Sequence, residues 1–161
     1  MYIFEVVSDC ELSEDMIAKH KDSFKALITK NLTDSEVSVR VASLKATASF
    51  LTSLNDSDTA QQYTGIINHL LATVVEALRV KESQGQQALS SLAELANTHP
   101  EIFKNDVAKC IDVFSQVMAN KDFEDATRSS ASEVLLTLAA QMPALMRKAS
   151  ETKTHLLPAI V

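Results

Sequence analysis

The 161-residue sequence has no tryptophan, two glycines, three prolines and two cysteines, and its aromatic residues make up only 5% of the chain. Glycine and proline together fill about 3% of positions, where an average chain carries roughly 12%. A turn-dense all-β fold is therefore excluded. Gly65 and Gly85 are too far apart to build a GxGxxG or GxxxxGK loop, so the usual way of bringing backbone amides onto a phosphate is missing. Cys10 and Cys110 show neither CxxC nor Cys/His spacing. No disulfide framework, zinc site or other cofactor is expected, and a reducing compartment fits. No run approaches the roughly 18 consecutive apolar residues that a membrane-spanning helix requires. The opening MYIFEVVSDC is interrupted by Glu5 and lacks a basic leader, so it does not read as a signal peptide.

Basic charge is also scarce. Lys+Arg 15 against Asp+Glu 21 gives a net charge of -6, spread along the chain. Duplex nucleic acid, whose binding depends on cations meeting phosphates, would be repelled. A basic protein partner would be attracted.

What the chain does have is apolar residues at helical spacing, as in Phe24, Leu27, Ile28, then Leu70, Leu71, Val74, Val75, Leu78, then Ile111, Phe114, Val117, Met118 and Leu135, Leu138, Ala139. The spacing predicts an all-α protein with helices near 2–9, 14–31, 35–53, 60–80, 84–97, 100–104, 106–120, 124–140 and 150–161. Ser13 reads as a helix start, Thr59 with Gln62 and Thr98 with Glu101 have capping-box spacing, and Pro100 stands where its missing N–H costs nothing.

Laid over itself, the chain repeats. Ala88, Leu92, Leu95, Ala96 and Pro100 match Ala131, Leu135, Leu138, Ala139 and Pro143 at a constant offset of 43, and the heptapeptide starting at His69 is echoed from His155 at twice that offset. Setting Arg40 against Gly85 and Arg128 adds a third unit at spacings of 45 and 43. Helix-pair repeats of roughly 40–47 residues mark HEAT or armadillo arrays, whose units bury their apolar faces by stacking. The expected fold is a right-handed α-solenoid of HEAT repeats built from antiparallel helix pairs. Its units span 15–54, 59–98 and 100–142, with 1–10 ending a preceding repeat and 150–161 starting a following one. The chain thus reads as a stretch of a longer array.

Such arrays offer surfaces rather than pockets. Asp34 with Arg40, and Asp122 with Arg128, have the six-residue spacing of a charge ladder between units; Arg79 and Gly85 interrupt it in the middle unit. The ladder reads as structural. Asp122, Glu124 and Asp125 beside Phe123 favour a helix N-terminus through its dipole; alternatively, with Glu82, Glu94 and Glu133, they receive Lys or Arg side chains of a partner. His20, His69, His99 and His155 form no metal-ligand pairs, and Ser90, Ser91, Ser129, Ser130 and Ser132 stand in no GxSxG or SxxK arrangement. No catalytic residue and no enzyme activity is predicted.

The stretch Gln84–Lys148, with LAELA, HPEIFK and FEDATRSSASEVLLTLAAQMPALMRK in succession, resembles the N-terminal half of importin-beta superfamily receptors, nearest the importin-beta-3 type. The resemblance implies a non-catalytic solenoid that carries protein cargo through nuclear pores, shuttling between cytoplasm and nucleus. It implies cargo and the GTPase Ran on second helices, and Phe-Gly segments of pore proteins in grooves between first helices; such grooves would lie near Leu71 and Val75 against Ile111 and Phe114, residues that themselves read first as buried core. The Trp and Asn ladder of importin-alpha has no counterpart, because tryptophan is absent. A HEAT scaffold of another complex, such as a phosphatase-regulating, vesicle-coat or chromosome-organising subunit, is the alternative; an α-helical enzyme is a remote third.

Overall fold

The computed structural model describes residues 14–151, and every regular element among them is helical. Eight α-helices follow in order: α1 (Glu14–Leu32), α2 (Val37–Thr52), α3 (Ser57–Gln61), α4 (Ile67–Val80), α5 (Glu82–Thr98), α6 (Val107–Ala119), α7 (Asp125–Gln141) and α8 (Pro143–Glu151). Single 3-10 turns cover Thr64–Ile66 and Pro100–Phe103. The helix expected over 2–9, the start signal at Ser13 and the segment 152–161 lie outside the described residues.

Helices pair as α1–α2, α4–α5 and α6–α7, while second helices stack in the row α2–α5–α7 and first helices in the row α1–α4–α6. This is the stacked arrangement of a HEAT solenoid. Its cause lies in two different apolar patterns. α4 buries Ile67, Leu70, Leu71, Val74, Ala77 and Leu78, one broad stripe at three- and four-residue steps. α5, held between neighbours on both sides, buries Gly85, Ala88, Leu89, Leu92, Ala93, Leu95 and Ala96, mixing small and large residues so that adjacent helices interdigitate. Each fully buried leucine contributes about 1.5–3 kcal/mol. One aromatic cluster closes the first unit, with Phe24 and Phe50 stacked at 5.6 Å and Phe50 meeting Tyr63 edge-on at 5.8 Å.

Local signals were partly misassigned by spacing. The single helix expected over 60–80 is broken into α3, a 3-10 turn and α4, because Tyr63 turns inward to 1% exposure beside the aromatic cluster. Thr59 is no N-cap. Asp56 caps α3, accepting from the amides of Asp58 at 3.2 Å and Thr59 at 2.9 Å and from the Thr59 hydroxyl at 2.6 Å, and these bonds hold its carboxyl below the usual carboxylate range. Thr98 ends α5 instead of starting a helix, its hydroxyl donating back to the Glu94 carbonyl at 3.1 Å. Pro100 does open a turn at its first position. Pro143 repeats the device and starts α8, where only a connection was expected.

Candidate protein-binding surfaces

Side-chain hydrogen bonds tie one unit to the next. Lys45 donates to Gln87 Oε1 at 3.2 Å, Gln86 to Thr127 Oγ1 at 2.7 Å, Gln141 to Asn97 Oδ1 at 3.3 Å and Lys109 to Asn68 Oδ1 at 2.6 Å. Glu82 Oε1 accepts from the Glu124 amide at 2.8 Å and from the Thr127 hydroxyl. The partners stand 41 to 45 residues apart, the HEAT spacing. Glu82 thus caps the N-terminus of the next second helix, and Thr127, fully buried, is satisfied as donor and acceptor at once.

These ties replace the charge ladder. Neither Asp34–Arg40 nor Asp122–Arg128 forms an ion pair among the described residues. Asp34 Oδ1 accepts from the Glu36 amide at 2.9 Å, an Asx turn leading into α2, and Arg128 pairs with Asp125 one turn away. Asp122 instead sits in the turn before α7, where its backbone amide donates to Asn120 Oδ1 at 3.0 Å. Gly85 explains the break in the middle unit: a Cβ there would stand 2.3 Å from Leu78 Cδ2 and 3.0 Å from Leu78 Cα, so α4 and α5 approach too closely for an arginine.

Of the acids weighed as partner contacts, Glu82, Glu124 and Asp125 converge at the start of α7, with Glu82 committed to the neighbouring unit and Asp125 to Arg128. Glu94, Asp122, Glu124, Asp125 and Glu133 are exposed, Glu94 and Glu133 along the second helices. Lys45, Gln87 and Thr127 were missed. Their signal was the inter-unit offset, which marks junction residues as well as core ones. His99 is no ligand: it is 4% exposed, Nε2 donates to the Leu54 carbonyl at 3.0 Å and Nδ1 meets Glu101 Oε1 at 2.9 Å. Among the described residues no group of three His, Cys, Asp or Glu could hold a metal ion. No helix there is long and apolar enough to cross a membrane.

Two grooves open on opposite helix rows. Between first helices α4 and α6, a groove of about 380 Å³ is lined by Leu71, Ala72, Val75 and Val113, with Asn68, Glu76, Lys109 and Asp112 around them. Leu71 and Val75 line it as expected, Leu71 at only 4% exposure, and Ile111 and Phe114 take the core role, buried at 1% and 0% exposure. Between second helices α2 and α5 lies a groove of about 470 Å³.

A family model described as "IPO5-like, TPR repeats" matches residues 1–113, and a second, described as "Importin repeat", matches residues 120–161. The chain belongs to the importin-5-like branch of the importin-beta family. Although that description names TPR repeats, the inter-unit ties of this importin-5-like chain fall at the HEAT spacing and not at the roughly 34 residues of a TPR pair. It is 24% identical over 148 residues to a Dictyostelium discoideum protein described as "Probable importin-5 homolog", a match that covers 91% of this chain and 14% of that relative. No solved structure matches the chain. The family is one of nuclear transport receptors.

Proposed function

We propose that this chain is a non-catalytic, protein-binding part of a nuclear transport receptor that carries protein cargo through the nuclear pore and shuttles between cytoplasm and nucleus. The groove between α4 and α6 carries the reading. Its apolar lining of Leu71, Ala72, Val75 and Val113 on the first-helix side suits a Phe side chain, and the surrounding polar residues suit the polar linkers between Phe-Gly motifs. Exposed Glu94 and Glu133 on the second helices favour basic cargo, while Ran would be met through the whole receptor. Direct nucleic-acid or membrane contact is not part of the proposal. The scaffold divides into units 15–54, 59–98 and 100–142. Small shifts at successive unit interfaces would sum to a change of pitch that grips or releases cargo.

The test is a titration of the chain with a Phe-Gly-repeat peptide, followed by amide chemical shifts. Binding with shifts on α4 and α6, weakened about tenfold or more by Val75→Asp, supports the reading. No binding, or binding indifferent to Val75→Asp, removes the pore contact from it.

A further inference from the structure

The register that aligns Arg40 with Gly85 and Arg128 also aligns Lys45 with Ser90 and Glu133, five residues further along α2, α5 and α7. All three of these positions are exposed. At equivalent places on successive second helices the surface therefore passes from positive through neutral to negative, and Glu94, one turn beyond Ser90, adds to the negative end.

The positive end borders the 470 Å³ groove between α2 and α5, lined by Ser38, Val41, Ala42, Lys45, Ala46, Ser49, Gln84 and Gln87. Among the described residues no carboxylate lines it, and Lys45 is the one charged group that does, in a chain whose net charge is -6. Because Gln87 Oε1 accepts from Lys45 Nζ, the Gln87 amide nitrogen remains to donate, as do two ammonium protons. Ser38, Ala42, Ala46 and Ser49 follow one another at three- and four-residue steps, leaving room for a backbone to approach the helix. The groove is thus rich in donors and selects for acceptors.

We propose that the groove between α2 and α5 binds an extended protein segment whose acidic side chain meets Lys45, with a basic residue of the same segment reaching Glu133. Packed helices lie about 8–10 Å apart, so two unit steps span about 16–20 Å, and an extended chain rising roughly 3.3 Å per residue crosses that distance in about five or six residues. The recognised pattern is an acidic and a basic residue about five positions apart with small residues between. It goes beyond the pore contact, which uses the opposite helix row, and rests only on the chain being a protein-binding scaffold.

The test is an amide chemical-shift titration of the 161-residue chain with a peptide holding one Asp and one Lys separated by four Ala and Ser residues, beside the same peptide with Asn for Asp. The Asp peptide should shift residues of α2 and the start of α5 and bind roughly fivefold more tightly at low salt. Lys45→Glu, an exchange between exposed good helix formers, should abolish that preference, and a peptide with Lys in place of Asp should then bind better to the variant than to the parent chain. Equal binding of the Asp and Asn peptides, or an Asp preference that survives Lys45→Glu, overturns the proposal. The Phe-Gly titration should be unchanged in Lys45→Glu, so each reading can fail without the other.

Discussion

His99 Nε2 donates to the carbonyl oxygen of Leu54, 45 residues earlier, at 3.0 Å. The bond satisfies a carbonyl just past the end of α2 from the residue that caps the end of α5, so one imidazole joins the first unit to the second. Glu101, on the far side of the ring at 2.9 Å, holds its orientation. His99→Leu keeps the volume but leaves the carbonyl and the carboxylate unpaired. The expected loss is about 2–3 kcal/mol in a urea unfolding experiment, since a buried group stripped of its partner costs its full desolvation. An unchanged midpoint would show that the bond contributes nothing.

Glu82 makes a comparable link between α5 and α7. Glu82→Ala frees the Glu124 amide and the Thr127 hydroxyl, and should cost about 1–2 kcal/mol. Glu82→Gln, which keeps an acceptor oxygen in place, should recover roughly half. Hydrogen exchange at the Glu124 amide reads the link directly: it should accelerate in Glu82→Ala and not at amides of α4.

Gly85→Ala tests the close approach of α4 and α5. Alanine gains about 1 kcal/mol in helix propensity over glycine. Against this, the new methyl would meet Leu78 Cδ2 at 2.3 Å, Cγ at 2.5 Å and, less able to yield, Cα at 3.0 Å. Overpacking of this kind costs about 1–3 kcal/mol, so after the propensity gain the variant should be less stable by up to about 2 kcal/mol in thermal melts. A more stable variant would mean that the two helices separate at little cost.

The solenoid could be read from the sequence because its evidence is periodic. Leu70, Leu71, Val74 and Leu78 announce a buried stripe by spacing alone, and the match of Pro100 with Pro143 fixes the repeat length. Hydrogen-bond partners were harder to read. Thr59 has capping-box spacing, yet Asp56 takes the cap, because three donors converge on its carboxylate; Asp122 has ladder spacing, yet Asp125 stands nearer Arg128 on the same helix. Linear spacing says which residues face the same way, whereas partner choice is decided by local geometry between helices. The groove between α4 and α6 shows the same limit, since Leu71, Val75 and the buried Ile111 and Phe114 stand out by periodicity while Val113, which lines the groove, does not.

Tyr63 is 1% exposed, its hydroxyl has no hydrogen-bond partner among the described residues, and burial pushes its phenol pKa up. Its ring, by contrast, is well used, meeting Phe50 edge-on and lying under Lys25 Nζ at 5.5 Å. Tyr63→Phe keeps the ring and removes the unpaired hydroxyl. Stability at neutral pH should be unchanged or higher by about 1 kcal/mol. A loss above that would reveal a hydroxyl contact worth more than the desolvation it costs.

Cys110 lies at 0% exposure on α6, and burial, helped by the negative charge of Asp106, pushes its thiol pKa up to about 12. Since the thiolate is the reactive species, the folded protein should keep this sulfur inert at pH 8. In a Cys10→Ser variant, where Cys110 is the sole thiol, a disulfide reagent such as dithionitrobenzoate should release colour only as urea unfolds the chain. The denaturant midpoint read from thiol release should then coincide with that read from helical circular dichroism. Rapid reaction of the native protein would show that α6 opens toward solvent on its own, without unfolding its neighbours.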